Sequence, residues 1–373
     1  MTTTKLHRLY DEFVQSPWLD NLKRGWITGG ELERWVERGV RGVTSNPTIF
    51  QKAIAGGHDY DDQFRDLVTG GASVEASYWE LVKADIEEAL RILRPVYDSS
   101  NGVDGFVSVE LAPDLARDSE GSTNAARLLH DQIDEPNVFV KIPGTAEGVP
   151  AIRQMISEGR SINVTLLFGL TRYAEVIEAY VSGLELLRDS GHDIDRVRSV
   201  ASFFVSRVDT EVDRRLEEIG TEPALALRGK AAVANAQLAY QLFVDRFRGE
   251  RWEGLAAGGA QVQRPLWAST STKNPAYPET LYVDTLIGPD TVNTMPETTL
   301  EDVEAHGTLG RTVDAGLGAA RRAIDDLAAL GIDMEDVAST LEDEGVATFA
   351  KSYDELLTTL ETKATELDGG QRS

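Results

Sequence analysis

Lys141 lies inside VFVKIPGT, residues 138–145, a run otherwise apolar enough to be a buried strand. Lysine seldom enters such a place unless it is paired or does chemistry. Among apolar neighbours the ammonium form is disfavoured, and the neutral amine that results adds to a carbonyl to give a Schiff base. The iminium then draws electrons from the adjacent carbons, which allows carbon–carbon cleavage without a metal. The competing reading is structural: a lysine snorkelling from a strand end, or an ion pair with Glu110. Glu110 in VSVEL and Asp20 in WLDN stand late in two other apolar runs. Two carboxylates from different strands can share the proton transfers of imine formation, imine hydrolysis and bond cleavage, or can simply balance the lysine's charge.

Further polar residues recur at the same place in each run: Thr44 and Asn46, Ser108, Asn163 and Thr165, Ser202. Any one of them alone reads as a solvated strand end or a helix N-cap. Their repetition argues for a shared site. Arg207, just after SVASFFVS, has the planar fork that grips phosphate oxygens, with Ser202 assisting; its plain alternative is a surface pair with Asp209 or Glu211.

The elements that must hold these residues are eight strand candidates: SPWLDNL, RGVTSN, GFVSVEL, NVFVKIPG, SINVTLLF, SVASFFVS, RPLWAST and LIGPDTVN. Their Val, Ile, Leu and Phe content suits strands covered on both faces, and helical stretches separate them. The leading architecture is an α/β fold, a (β/α)8 TIM barrel, whose site would form at the C-terminal strand ends; a doubly wound open sheet is the second choice. A helix is expected around His7 to Val14, a capping box of Thr28 and Glu31 should open ELERWVERG, and Val82, Ile86, Leu90 and Leu93 share one helical face. Thr221 to Gly258 reads as two helices. With no Pro- or Ser-rich linker, residues 1–373 are expected to form one domain, with a helical part at about 297–366 packing on the barrel and a frayed tail at 367–373.

Composition narrows the function. The chain has 373 residues, 41% hydrophobic, with no cysteine and a net charge of −25 from 62 acidic and 37 basic side chains. Such a charge opposes nucleic acid and anionic membranes, so an anionic substrate requires a local basic pocket. The five histidines, His7, His58, His130, His192 and His306, show no ligand spacing, so no metal is expected. RGKAA near Lys230 and GLGAA near Gly316 lack the context of nucleotide-binding loops, and no cofactor is expected. MTTTKLHRLYDEF has no apolar core of a signal peptide, and a cytoplasmic location follows as the expectation.

With these residues placed, the sequence resembles the transaldolases. GVTSNPTIF at 42–50 is similar to one family signature, and VKIPGTAEGVPAIRQMISEGRSINVTLLF at 140–168 to the other; ASTSTKNPAYPETLYVDTLIGPDTVNTMP resembles the longer bacterial members. The resemblance implies a circularly permuted class I aldolase barrel with extra C-terminal helices, no cofactor, sugar-phosphate substrates, and a monomer or homodimer. It implies that Lys141 forms the Schiff base, that Glu110 acts through a water held with Thr165, and that Asp20 moves the proton during cleavage. By the same resemblance Asn46 and Asn163 bind substrate hydroxyls, Thr44 and Ser108 line the pocket, and Ser202 and Arg207 hold the phosphate. Many relatives carry an arginine soon after the Ala-Ser of the seventh strand; here Lys273 stands nearby, offset, as the candidate replacement. The implied reaction moves a dihydroxyacetone unit from sedoheptulose 7-phosphate to glyceraldehyde 3-phosphate in the pentose phosphate pathway. A lyase that splits fructose 6-phosphate, and a catalytically silent sugar-phosphate-binding barrel, are the alternatives.

Overall fold

The computed structural model describes residues 3–370. Eight strands, β1 (Gln15–Leu19), β2 (Gly42–Thr44), β3 (Phe106–Glu110), β4 (Val138–Pro143), β5 (Ile162–Leu167), β6 (Ser199–Phe204), β7 (Arg264–Ala268) and β8 (Thr291–Met295), are all buried. They close in sequence order into one barrel, each pairing in parallel with the next and β8 with β1. Strands that meet helices outside and side chains inside have no wet face, hence their apolar composition. The open sheet is therefore excluded.

The barrel interior is stratified. At the bottom, fully buried Asp104 binds Arg41 at 2.6 Å and Arg264 at 2.9 Å and accepts hydrogen bonds from Ser16 Oγ (2.8 Å) and Trp18 Nε1 (3.3 Å). Above it the rings of Trp18, Phe139 and Phe106 stack, with centroids 6.1 and 4.0 Å apart. Alternation along each strand then brings the next inward residues, such as Lys141 two positions after Phe139, to the C-terminal end. The aromatic layer is the floor of the site.

The helix Met334–Gly370 lies across that end and reaches the loops after several strands. Thr48 Oγ1 donates to Ser352 Oγ at 2.8 Å, Tyr353 to Glu75 at 3.0 Å, Thr171 to Glu335 at 3.0 Å, and Arg215 pairs with Asp336 at 2.6 Å. Its apolar face buries Leu341, Phe349, Leu356 and Leu360. At Gly345 a β-carbon would come within 2.8 Å of Leu166 Cδ2, so a larger residue there requires that leucine to shift.

Several local expectations are corrected. The eighth strand is Thr291–Met295, beyond the apolar LIGPD, where Asp290 has a left-handed φ of 57° and its N–H reaches Val14 O at 3.1 Å. The Thr28 capping box does not form: Thr28 ends the helix Arg24–Thr28 and bonds Arg24 O, and Gly30, with φ 73°, precedes Glu31–Glu37. Glycine's left-handed conformation makes that junction without a side-chain cap. The first helix is Lys5–Phe13. Three helices, Glu222–Leu225, Ala231–Arg246 and Glu250–Ala256, occupy the stretch read as two, broken at Gly229 and Gly249, both of positive φ. Val82, Ile86, Leu90 and Leu93 are buried along Val74–Ser99, as their spacing predicts. The expected tail at 367–373 is helical backbone as far as Gly370, and 371–373 lie outside the described residues.

Candidate active site

Lys141 Nζ donates to Glu110 Oε2 at 2.7 Å and to the Ser45 carbonyl at 2.8 Å. Parallel register puts Glu110 beside Lys141 on β3 and Asn163 beside it on β5. The apolar surroundings inferred from the strand are thus corrected, and the alternative contact with Glu110 is present: the amine meets polar residues contributed by the neighbouring strands. Glu110 Oε1 accepts from Thr165 Oγ1 at 3.1 Å, so the carboxylate is fixed at both oxygens. β5 shifts register just beyond, where Leu166 has φ 56°. A left-handed leucine is strained, and such strain concentrates at functional sites.

Asp20 follows the end of β1, and its Oδ1 accepts from Thr44 Oγ1 at 2.7 Å; Thr44 also meets Thr294 Oγ1 at 2.7 Å. Burial pushes the Asp20 carboxyl above the ordinary carboxylate range, against the Thr44 hydroxyl and the charges of Lys141, Lys273 and Arg207. Asn46 caps the helix Pro47–Ala55 by accepting from Ile49 N at 3.0 Å, and its amide nitrogen stays free for other bonds. Asn163 is held between Ser108 Oγ, 3.1 Å from its Nδ2, and Ser202 Oγ, 2.7 Å from its Oδ1. That leaves one amide N–H of Asn163 uncommitted.

A cavity of about 160 Å³ joins Asp20, Thr44, Asn46, Lys141, Thr165, Ser202, Arg207 and Lys273. Glu110, Ser108 and Asn163 stand behind this lining and reach it through Lys141, Thr165 and Ser202. Arg207 lies in the first turn of the helix Ser206–Ile219, and its Cζ stands 5.3 Å from the Phe204 ring centroid. Burial lowers its pKa, opposed by the charges of Glu344 and Asp20. The surface pairing considered for it does not occur: Asp209 accepts from Ala232 N and Tyr282 Oη, and Glu211 binds Arg214 and Arg215. Among the described residues, neither Arg207 nor Lys273 forms a salt bridge. Two cations that form no salt bridge, lining one pocket in a chain this acidic, have the chemistry to bind an anion.

Sequence reasoning missed Thr294, Ser269, Ser271, Phe204 and Phe349 as lining residues. Thr294 follows the strand-end rule once β8 is placed correctly, and the two serines follow it just after β7. Ser269 has φ 56°, and its Oγ lies 2.8 Å from Ser206 Oγ, a second strained residue at the site. Phe349 comes from the distant C-terminal helix and carries no local signal. Among the described residues no group of three or more His, Asp or Glu is placed to hold a metal ion, and no helix is long and apolar enough to cross a membrane.

A closed (β/α)8 barrel with a strand lysine, flanking carboxylates and two unpaired cations at its C-terminal rim has the make-up of an aldolase-type enzyme barrel. The family profile described as Transaldolase/Fructose-6-phosphate aldolase matches residues 17–360. A transaldolase of Thermobifida fusca is 52% identical over 354 residues, 94% of this chain and 96% of that protein. Transaldolase 1 of Streptomyces avermitilis is 50% identical over 370 residues, 99% and 97% of the two chains, and a transaldolase of Mycobacterium leprae is 48% identical over 345 residues, 92% of each. The chain belongs to the transaldolase/fructose-6-phosphate aldolase family.

Proposed function

We propose that the protein is a transaldolase that carries a dihydroxyacetone unit on Lys141 from sedoheptulose 7-phosphate to glyceraldehyde 3-phosphate, leaving erythrose 4-phosphate and fructose 6-phosphate. The observation that carries the reading is the Lys141 amine, 2.7 Å from Glu110, at the base of a cavity that also holds Asp20 and two unpaired cations. Lys141 Nζ adds to the donor's C2 carbonyl, and loss of water leaves an iminium; Glu110, with Thr165 beside it, passes the protons through a bound water. Asp20 takes the proton of the C4 hydroxyl as the C3–C4 bond breaks. The bond's electrons move into the iminium, the aldehyde departs, and an enamine remains on Lys141. Addition to the acceptor aldehyde reverses these steps, and water then releases the ketose. Arg207, Lys273 and Ser202 hold the phosphate, Asn46 and Asn163 bind hydroxyls, and Thr44 and Ser108 shape the pocket around them.

Transfer requires that the enamine outlive the first aldehyde, which favours a site closed to water. The helix bearing Phe349 at the mouth supports transfer over simple cleavage. A cysteine-free chain of net charge −25 fits a cytoplasmic setting. Incubation with fructose 6-phosphate and borohydride, followed by peptide mapping, should leave a reduced three-carbon adduct on Lys141. Product that forms only when an acceptor aldehyde is supplied distinguishes the transferase from a lyase. Absence of the adduct in folded protein would leave a sugar-phosphate-binding barrel without this chemistry.

A further inference from the structure

The segment between β7 and β8 delivers Ser269, Ser271 and Lys273 to the cavity, and Lys273 itself is exposed at the rim. An exposed segment holds a charge in place only if something buried anchors it. Two buried carboxylates on the helix Ser206–Ile219 supply such anchors. Asp209 accepts from Tyr282 Oη at 2.9 Å and from Ala232 N at 2.8 Å; Asp213, one turn further along the same face, accepts from Tyr277 Oη at 2.5 Å and from Gly229 N at 2.9 Å. Arg207 belongs to the first turn of this helix. The elements carrying the two cations are thus bolted together by paired Asp–Tyr bonds. Gly229 has φ 69°, and a β-carbon on it would lie 2.8 Å from the Tyr277 ring, so the packing beneath that tyrosine admits only glycine.

The link continues to the cation. Thr272, next to Lys273, donates its hydroxyl to the carbonyls of Pro278 at 2.9 Å and Glu279 at 3.0 Å, immediately after Tyr277. Asp213 therefore reaches Lys273 by three short steps: the Tyr277 hydroxyl, the adjoining carbonyls and the Thr272 side chain. Neither Asp213 nor Tyr277 lines the cavity.

We infer that Asp213 and Tyr277 are positioning residues for the substrate's phosphate, holding Lys273 at a fixed distance from Arg207 so that the two cations grip one anion. The inference rests on the transaldolase reading, in which that end of the cavity receives a phosphate. It makes phosphate selectivity a property of the β7–β8 segment and separates it from the chemistry at Lys141.

The test compares glyceraldehyde 3-phosphate with unphosphorylated glyceraldehyde as acceptor, and inorganic phosphate as a competitive inhibitor. Tyr277→Phe keeps the ring and removes one hydrogen bond. It should raise KM for the phosphorylated acceptor and weaken phosphate inhibition, each by about 3- to 10-fold. Maximal turnover, and kcat/KM for glyceraldehyde, should stay within about twofold. Asp213→Asn should behave alike, and the double variant should be no worse than either single one, because both act on one link. Equal losses with both acceptors would mean a merely structural bond and overturn the inference; so would full retention of the phosphate preference in both variants. A wild-type enzyme without any preference for the phosphorylated acceptor would instead remove the phosphate reading itself, which the wild-type measurement reveals before any variant is made.

Discussion

Replacing Glu110 by glutamine keeps the shape of a side chain held at both oxygens, by Lys141 Nζ at 2.7 Å and Thr165 Oγ1 at 3.1 Å, and removes its capacity to exchange a proton. The amide oxygen can still accept from Lys141, and the Thr165 hydroxyl can rotate to accept from the amide nitrogen, so the geometry survives. A lost acid/base group costs about 100- to 1000-fold in rate, roughly 3–4 kcal/mol of transition-state stabilisation. The competing role, charge balance, predicts the opposite at the lysine. At an effective dielectric of about 20, opposite charges this close attract by roughly 6 kcal/mol before desolvation is counted, and losing that attraction frees the amine to attack. The two roles therefore separate when turnover is measured beside the rate of borohydride trapping on Lys141. Acid/base function predicts that both fall. Turnover within about threefold of wild type, or faster trapping, would reduce Glu110 to a counter-ion and refute the assignment.

Asp20 should set the acidic limb of the pH profile. Burial raises its carboxyl above the ordinary range, and the role proposed for it in cleavage needs the carboxylate, so kcat/KM should fall with decreasing pH through a value above about 4. Because the fold disfavours its ionised form, Asp20 lowers stability as pH rises through the interval from its unfolded to its folded pKa; Asp20→Asn should melt higher than wild type at neutral pH, and the gain should vanish below about pH 4. Equal melting at neutral pH would argue against the burial cause. At the opposite end of the barrel, burial alone would raise the Asp104 carboxyl, but Arg264 and Arg41 hold it below the usual range. Its ionised form therefore contributes stability above about pH 4, lost on acidification. Asp104→Ala strands two arginines and should cost about 3–5 kcal/mol in chemical denaturation, with kcat of the folded fraction unchanged at room temperature. A loss of kcat without a loss of stability would show that the bottom layer reaches the site.

The limits of the sequence are clearest at β8. Buried parallel strands are expected to be apolar, which starts the candidate LIGPDTVN at its apolar LIGPD, yet the strand is TVNTM. It remains buried because most of its polar groups pair inside the barrel: Thr291 with Gln15 and the Gly288 carbonyl, Asn293 Oδ1 with Thr270, Thr294 with Thr44, while Asn293 Nδ2 has no partner among the described residues. Polarity along one strand does not show the partners that neighbouring strands will supply. The same reasoning explains why the surroundings of Lys141 are only partly legible from its own strand. Along VFVKIP its sequence neighbours are apolar, but those side chains alternate in direction, and its true neighbours are at the same height on the adjoining strands: Glu110 on β3 and Asn163 on β5. Strand-end position is written in each segment separately, so most of the lining was legible. Register and the crossing of the Phe349 helix exist only once the barrel closes. An isolated buried lysine would be an amine with no means of moving protons; the pairing of β4 with β3 in register sets a carboxylate beside it.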